Sequence, residues 1–183
     1  MELRIELANS AQELGTFHCG VKAMDDFIHT NMELSVRNSF CKLYMVKNEG
    51  QEIVALFALS FDSLRLDLDD KDDLQNDFAG TSMPNLIGAY DETFWAKAHY
   101  PALEIAYLAV DERFQQQHIG HDLIETIVEK AKRQDLAGCQ FVTVDAYCTK
   151  EYSAVPFYYK CGFANIDIVP IYDTVRMYRN LLD

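Results

Sequence analysis

A turn that leads from a predicted buried strand into a predicted helix has the residues to bind a phosphate group. The turn reads QQQHIG over residues 115–120. At the start of a helix the backbone N–H groups lack intrahelical acceptors, and the positive end of the helix dipole lies beside them. Together these features bind a phosphate or pyrophosphate, and Gly120 lets the backbone approach the ligand closely. The turn is therefore a candidate anion site, although many α/β folds have a turn of this kind.

A single charged residue, Glu104, interrupts the apolar run from Leu103 to Val110. Burial of an unpaired carboxylate is costly and favours its protonated form. Such a carboxylate suits a general base, because an ammonium group must lose a proton before its nitrogen can attack. The alternative is that Glu104 lies at a strand end and meets solvent or a lysine.

The turn and a second motif downstream resemble the GNAT acetyltransferase family. The turn is similar to the GNAT acetyl-CoA loop, [RQ]-x-x-G-x-[GA], with His118 where glycine is usual. The segment AVPFYYKCGF, residues 154–163, is similar to the GNAT pattern A-x-x-[FL]-Y-x-K-x-G-F. Glu151 stands three residues before this motif, where asparagine is frequent. The resemblance runs from about Leu103 to Phe163 and continues weakly to the end of the chain.

The resemblance implies acetyl-CoA as co-substrate, with no metal, and direct transfer to a primary amine in a ternary complex. Backbone groups at the end of the buried strand would align the pantetheine arm, and backbone amides of the turn would hold the pyrophosphate. The cofactor-binding residues implied in this way are Leu108, Ala109, Val110, Gln115, Gln116, Gln117, His118, Ile119, Gly120 and His121.

The same resemblance implies catalytic roles for Tyr158 and Glu104. Tyr158 matches the tyrosine with which GNAT enzymes protonate the departing thiolate, and the strand around Glu104 resembles the one that carries the general base in several of them. The alternative for Tyr158 is an aromatic side chain packed behind the short helix, as we predict for Phe157. For His118 and His121 the alternatives are contacts with phosphate or simple solvation at an exposed helix start.

A weaker resemblance bears on the acceptor. The strings FHCG at residues 17–20 and MDDF at 24–27 look like the toxin-type branch of GNAT enzymes, which raises aminoacyl-tRNA as an acceptor. The net charge of −13, from 16 basic and 29 acidic residues, argues the other way because it repels polyanions. We therefore predict a small-molecule or peptidic amine as acceptor, and no binding of free nucleic acid. A non-catalytic acyl-CoA-binding regulatory protein and a homodimer are left open.

The elements that must position these residues form an α/β (α+β) pattern. We predict a mixed, mostly antiparallel central sheet flanked by helices, in which the alternation and apolar runs mark the strands. The predicted strands are 3–7, 40–47, 52–61, 103–110, 141–147, 163–168 and 175–178. The predicted helices are 21–32, 119–131 and 155–160.

The 183 residues contain no linker or repeat, so we predict a single domain over residues 1–183. An acidic segment at about 62–101 is predicted to be an inserted excursion. Its aspartates, from Asp62 to Asp77, lack the glycine and glutamate of an EF-hand loop and are interpreted as a solvated loop or a helix start.

The sequence predicts a cytoplasmic protein with no membrane segment. Its N-terminus, MELRIE, alternates charged and apolar residues, and no apolar run approaches the ~20 residues that span a bilayer. The five cysteines form no CxxC pair, so we expect reduced structural thiols. The histidines show no spacing typical of a metal site.

Overall fold

Seven strands and six helices form over residues 2–76, 84–165 and 172–182, which are the residues described by this computed structural model. The strands are β1 (Arg4–Ala8), β2 (Lys42–Lys47), β3 (Ile53–Arg65), β4 (His99–Val110), β5 (Phe141–Tyr147), β6 (Ala164–Asn165) and β7 (Thr174–Asn180). The helices are α1 (Lys22–Thr30), α2 (Met32–Arg37), α3 (Leu68–Gln75), α4 (Asp91–Ala96), α5 (Ile119–Arg133) and α6 (Val155–Lys160). Two short 3₁₀ turns lie at Gln12–Thr16 and Glu112–Phe114.

The strands follow one another in the sheet in the order β1-β2-β3-β4-β5-β7-β6. The pairs β1–β2, β2–β3, β5–β7 and β6–β7 are antiparallel, whereas β4 and β5 are parallel. The predicted mixed, mostly antiparallel sheet with flanking helices is therefore confirmed. No helix in the described part of the chain is long and apolar enough to cross a membrane.

The chain divides into two compact units, and the first consists of Met1–Ser60 with Ile105–Ile124. Its core forms where the apolar faces of α1 and α2 pack on the first strands. The periodic pattern that predicted one helix over 21–32 is split at Asn31, which separates α1 from α2. Buried members of this core include Leu14, Phe17, Ile28, Met32, Leu43, Met45, Leu56 and Ala109.

The second unit consists of Phe61–Glu104 with Glu125–Asp183. Its core combines apolar residues of β4, β5 and β7 with residues of α3 and α4. Full burial of one such side chain stabilises the fold by about 1.5–3 kcal/mol. Members of this core are Leu64, Leu66, Leu74, Phe94, Tyr100, Ala102, Phe141, Ala164 and Tyr178.

Several residues of the acidic segment at about 62–101 belong to this core. Strand β3 continues to Arg65 and β4 begins at His99, so both ends of the segment are strand. Between them Leu74 of α3 and Phe94 of α4 are completely buried. Residues 77–83 lie outside the described part of the chain.

Asp67 begins α3 as its N-cap, which confirms a helix start among the aspartates. Its side chain accepts hydrogen bonds from the backbone N of Asp69 (2.9 Å) and of Asp70 (3.0 Å). The Asp70 carboxylate accepts in return from the backbone N of Asp67 (2.9 Å), which completes a capping box. Negative side chains at this end of a helix also interact favourably with its dipole.

Local signals located several elements well. Strand β5 and helix α6 have the predicted bounds, and α5 extends two residues beyond its prediction. The predicted strand 163–168 begins as β6, while residues 166–168 lie outside the described part of the chain.

Strand β4 pairs with β5 over a short ladder. The register joins Ala102 to Phe141 and Glu104 to Thr143, and no pair beyond Glu104 is present in these two fully described strands. Glu104 therefore lies at the last residue pair of this ladder.

Candidate active site

A buried carboxylate fixes the start of the turn after β4, in the first unit. Asp111 is 1% exposed, and it accepts hydrogen bonds from the backbone N of Arg113 (3.1 Å) and from its Nε (2.8 Å) and Nη2 (3.1 Å). Burial favours a higher pKa for Asp111, but the hydrogen bonds and charge of Arg113 outweigh it and hold this pKa below its ordinary value. The backbone N–H of Asp111 also donates to Val54 O (2.9 Å), so this end of the turn is anchored to β3.

Two residues of the turn, Gln116 and His118, have a φ of +62°. This left-handed conformation costs a residue with a side chain roughly 1–2 kcal/mol, whereas glycine adopts it without strain. Glycine is usual at the position of His118 in the GNAT motif. The backbone thus has a conformation that glycine favours, and the histidine adds an exposed imidazole without changing that conformation.

The backbone amides at the start of α5 are in the position expected for an anion site. The first hydrogen bond of the helix runs from Asp122 N to His118 O (3.1 Å). The amides of Ile119, Gly120 and His121 precede this bond and so lack an intrahelical acceptor. They lie at the positive end of a 15-residue helix, where a phosphate group is stabilised.

The side chain of Gln115 is used within the first unit. Its Nε2 donates to the backbone O of Cys19 (2.8 Å) and of Val110 (3.0 Å). A second link joins the same segments, because Glu112 N donates to His18 O (2.9 Å). These contacts tie the turn to the N-terminal segment. Because they use the side chain of Gln115, a ligand would contact the backbone of this residue. Sequence reasoning did not predict this contact.

The two N-terminal strings that resemble the toxin-type branch form one local structure beside the turn. Asp25, in the first turn of α1, accepts hydrogen bonds from the backbone N of Cys19 (2.7 Å) and of Gly20 (3.2 Å). Gly20 has a φ of +79°, which glycine adopts without strain. The motif residues thus build the segment that accepts the hydrogen bonds of the turn.

The other implied cofactor residues lie at the end of β4 and the start of α5. Ala109 is buried in the core of the first unit, while Leu108 and Val110 are partly exposed, as alternation along a strand requires. His121 is half-exposed, with Nδ1 3.8 Å from Asp122 Oδ1. Gln117 and Glu151 are exposed. The structure thus brings residues 108–121 together in one turn and its flanking elements.

Tyr158 lies in α6, in the second unit, and is 5% exposed. Its ring packs against Phe157 (centroids 5.1 Å apart) and Phe163 (5.4 Å). Burial raises the pKa of Tyr158, so the phenol is protonated at neutral pH. Over the described residues its hydroxyl has no hydrogen-bond partner. The ring packs against neighbouring aromatic side chains, as the alternative to a catalytic role predicts. The hydroxyl keeps a proton that it can donate.

Glu104 is not the unpaired carboxylate expected from the sequence. Its Oε1 lies 3.4 Å from Nη1 of Arg176, on β7, and its side chain is 22% exposed. The same nitrogen lies 3.3 Å from Asp145 Oδ1, while Nη2 of Arg176 donates to Asp62. Thr143 also donates to Asp62 through its hydroxyl. We call these five residues the Arg176 cluster.

Asp62 is the anchored member of the Arg176 cluster. Burial favours a higher pKa for Asp62, but the hydrogen bond from Thr143 and the charge of Arg176 outweigh it, and the pKa lies below its ordinary value. Sequence reasoning had placed Asp62 in an acidic excursion and had not identified Arg176. An arginine between apolar residues in the terminal strand, at the second position of VRMYR, was the available signal.

No group of three His, Cys, Asp or Glu side chains suited to a metal ion occurs within residues 2–76, 84–165 and 172–182. The five cysteines are free thiols. Burial raises the pKa of Cys161, in the second motif, to about 11, so this thiol is protonated at neutral pH.

Comparison with known proteins finds a family model that matches the part of the chain around the two motifs. Residues 85–165 match the family model described as an acetyltransferase (GNAT) domain. Among curated proteins no significant match is found.

Solved structures share the fold over the whole chain. A bacterial toxin superposes with a TM-score of 0.71 at 19% identity, covering 98% of this chain and 91% of the toxin. A tyrosine-to-phenylalanine mutant of the toxin AtaT, bound to the C-terminus of the antitoxin AtaR and acetyl-CoA, gives 0.67 at 16% identity, covering 99% and 94%. AtaT complexed with acetyl-methionyl-tRNAfMet gives 0.64 at 18% identity, covering 96% and 94%.

These structures correct the prediction about partners. The prediction of a small-molecule or peptidic amine acceptor, without binding of free nucleic acid, is wrong. AtaT has been solved with a tRNA and with part of a protein antitoxin. The physical reason is that net charge is a sum over the whole surface, whereas binding depends on the local distribution of charge. Residues 85–165 thus match the acetyltransferase (GNAT) domain model, and the chain shares the fold of these solved structures.

Proposed function

We propose that this protein is an N-acetyltransferase that moves the acetyl group of acetyl-CoA to the amino group of an aminoacyl-tRNA. The observation that carries the proposal is the similarity, over 96% of the chain, to AtaT complexed with acetyl-methionyl-tRNAfMet. The N-terminal segment that resembles the toxin-type branch supports it, because Gln115 and Glu112 bind this segment directly.

The first unit would bind the coenzyme through its backbone. Amides at the start of α5 would hold the pyrophosphate, since they lack intrahelical acceptors and lie at the positive end of the helix dipole. Strand β4 has no ladder pair with β5 beyond Glu104, so backbone groups of Leu108, Ala109 and Val110 would bind the pantetheine arm. Val110 O already accepts from Gln115, which leaves its N–H and a second lone pair.

The chemical step requires one proton acceptor and one proton donor. Glu104 would accept a proton from the ammonium group of the aminoacyl ester, directly or through water, which frees the nitrogen lone pair. The amine would then attack the thioester carbonyl and form the new C–N bond, and the tetrahedral intermediate would expel the thiolate as the C–S bond breaks. Tyr158 would donate its proton to that thiolate, and the second proton lost by the nitrogen would return to the Tyr158 phenolate, directly or through water. No covalent enzyme intermediate is needed.

Exposed cations of the second unit are candidates for tRNA phosphate contacts. Lys130 on α5, Lys150 and Lys160 have exposed side chains. Arg133 contributes less because it pairs with Glu129 at 2.9 Å. These few cations would neutralise few phosphates, so we expect the binding constant for tRNA to fall only moderately with salt.

The experiment is transfer of labelled acetyl from acetyl-CoA to a panel of aminoacyl-tRNAs, with uncharged tRNA, free amino acids and polyamines as controls. We expect acid-stable label on the aminoacyl moiety of charged tRNA and none on uncharged tRNA. Labelling of polyamines or free amino acids alone would overturn the proposed substrate. Acetyl-CoA binding with no transfer to any amine would instead indicate the non-catalytic alternative.

A further inference from the structure

The Arg176 cluster joins four strands of the second unit. Asp62 comes from β3, Glu104 from β4, Thr143 and Asp145 from β5, and Arg176 from β7. Strand register explains why they meet: Thr143 pairs with Glu104, and Asp145 pairs with Arg176. Thr143 and Asp145 are two residues apart on one strand, so their side chains lie on the same face of the sheet.

We propose that Arg176 is a positioning residue for acetyl transfer, which holds the Glu104 carboxylate in place. The proposal rests on the proposed function in taking Glu104 as the base of the reaction. It assigns to Arg176 no contact with either substrate.

Anchoring at Asp62 orients the guanidinium. Asp62 accepts from both Nη2 of Arg176 and the hydroxyl of Thr143, so its carboxylate is held from two sides. The planar guanidinium then has Nη1 turned to Glu104 and Asp145, at 3.4 and 3.3 Å. Because the fork is rigid, fixing one nitrogen fixes the direction of the other.

The balance of charge explains why the cluster needs the arginine. Three carboxylates surround one guanidinium, and the side chains of Asp62, Glu104 and Arg176 are only 20%, 22% and 24% exposed. Without the arginine, the repulsion among the three carboxylates would be unopposed, and the Glu104 side chain would lose the guanidinium that fixes its direction.

The test compares kcat and KM of Arg176→Gln, Arg176→Lys and Asp145→Asn with those of wild type. We expect Arg176→Gln to lower kcat about tenfold with little change in KM, because the base is no longer held while no substrate contact is lost. Arg176→Lys should recover only part of this kcat, since lysine restores the charge without the fork. Asp145→Asn leaves the contacts of Arg176 with Asp62 and Glu104 in place and should keep kcat within about twofold of wild type.

A second readout does not depend on the acceptor. Carboxyl resonances of ¹³C-labelled glutamate, assigned with Glu104→Gln, report the mobility of the Glu104 side chain in the free protein. We expect this side chain to be more mobile in Arg176→Gln than in wild type, even if the acceptor is not an aminoacyl-tRNA. Unchanged mobility and unchanged kcat in folded Arg176→Gln would overturn the proposal and leave a purely structural ion pair. If Arg176→Gln does not fold, a wild-type kcat in Arg176→Lys is sufficient to overturn it.

Discussion

The side-chain Nε2 of Gln115 donates a hydrogen bond to the backbone O of Cys19, 2.8 Å away and 96 positions earlier in the chain. One glutamine side chain thus joins the turn before α5 to the N-terminal segment that resembles toxin-type enzymes. Because Nε2 also donates to Val110 O, the contact fixes the path of the turn between β4 and α5. This arrangement suggests that the N-terminal segment supports coenzyme binding.

Gln115→Leu should weaken acetyl-CoA binding by up to about 30-fold, because it removes both hydrogen bonds while it keeps the side-chain size. A net loss of about 1 kcal/mol for each hydrogen bond is the usual magnitude. Calorimetric titration with acetyl-CoA measures it. The matched control is Gln75→Leu, at an exposed glutamine that ends α3 in the other unit. Equal affinities for Gln115→Leu and wild type would show that the turn does not need this contact.

The positive φ of His118 predicts a difference between two substitutions. His118→Gly removes both the imidazole and the strain, whereas His118→Ala removes the imidazole and keeps the strain. We expect the free energy of unfolding of the alanine variant, measured by urea denaturation, to be about 1 kcal/mol lower than that of the glycine variant. Both should bind acetyl-CoA if the amides are the ligands of the pyrophosphate. Loss of binding in both variants would assign the phosphate contact to the imidazole.

Tyr158→Phe should lower kcat about 100-fold with little change in acetyl-CoA affinity, because only proton donation is lost. Its free energy of unfolding should stay within about 0.5 kcal/mol of wild type, since the hydroxyl has no hydrogen-bond partner among the described residues. The control is Tyr159→Phe, whose exposed neighbouring hydroxyl donates to Asn165 (2.7 Å). Single-turnover rates compare the variants. A Tyr158→Phe enzyme as fast as Tyr159→Phe would exclude the phenol as the acid.

The pH profile gives a second check on Tyr158. Burial raises the pKa of this phenol, and a general acid is active below its pKa. Its proton is therefore lost only as pH rises through that raised value, above the ordinary tyrosine value of about 10. We expect no decline of kcat from this group between about pH 7 and pH 10. A decline in that interval that disappears in Tyr158→Phe would contradict the environment described for the ring.

Asp111 predicts a contribution to stability that depends on pH. Its pKa lies below the ordinary value in the folded protein, so its stabilisation is complete above the unfolded value of about 4. This stabilisation is lost as pH falls from there through the folded pKa. Asp111→Asn should therefore cost about 1–3 kcal/mol at pH 7 and less near pH 3. Urea denaturation at both values, with the exposed Asp135→Asn as control, measures it. A cost that does not change with pH would contradict the ion pair with Arg113.

The sequence by itself determined the elements whose signals are local. Apolar periodicity located α5, an apolar run located β5, and the motif around Tyr158 located α6, because each pattern reports which face of one element is buried. The same kind of local signal predicts the backbone site at the start of α5, since its amides belong to consecutive residues, and this site stays a prediction. Glu104 was identified as exceptional from its charge within an apolar run, although its environment was not predicted.

Only the tertiary structure decided what those residues contact. Arg176 reaches Glu104 across 72 positions and Asp62 across 114, through strand pairings that local patterns do not encode. The register that pairs Asp145 with Arg176 changed Glu104 from an expected isolated base into a member of a charged cluster. The contact between Gln115 and Cys19 likewise depends on how the N-terminal segment folds against the turn. Hydrogen bonds and ion pairs act over a few ångströms in space, whatever the separation of their residues along the chain.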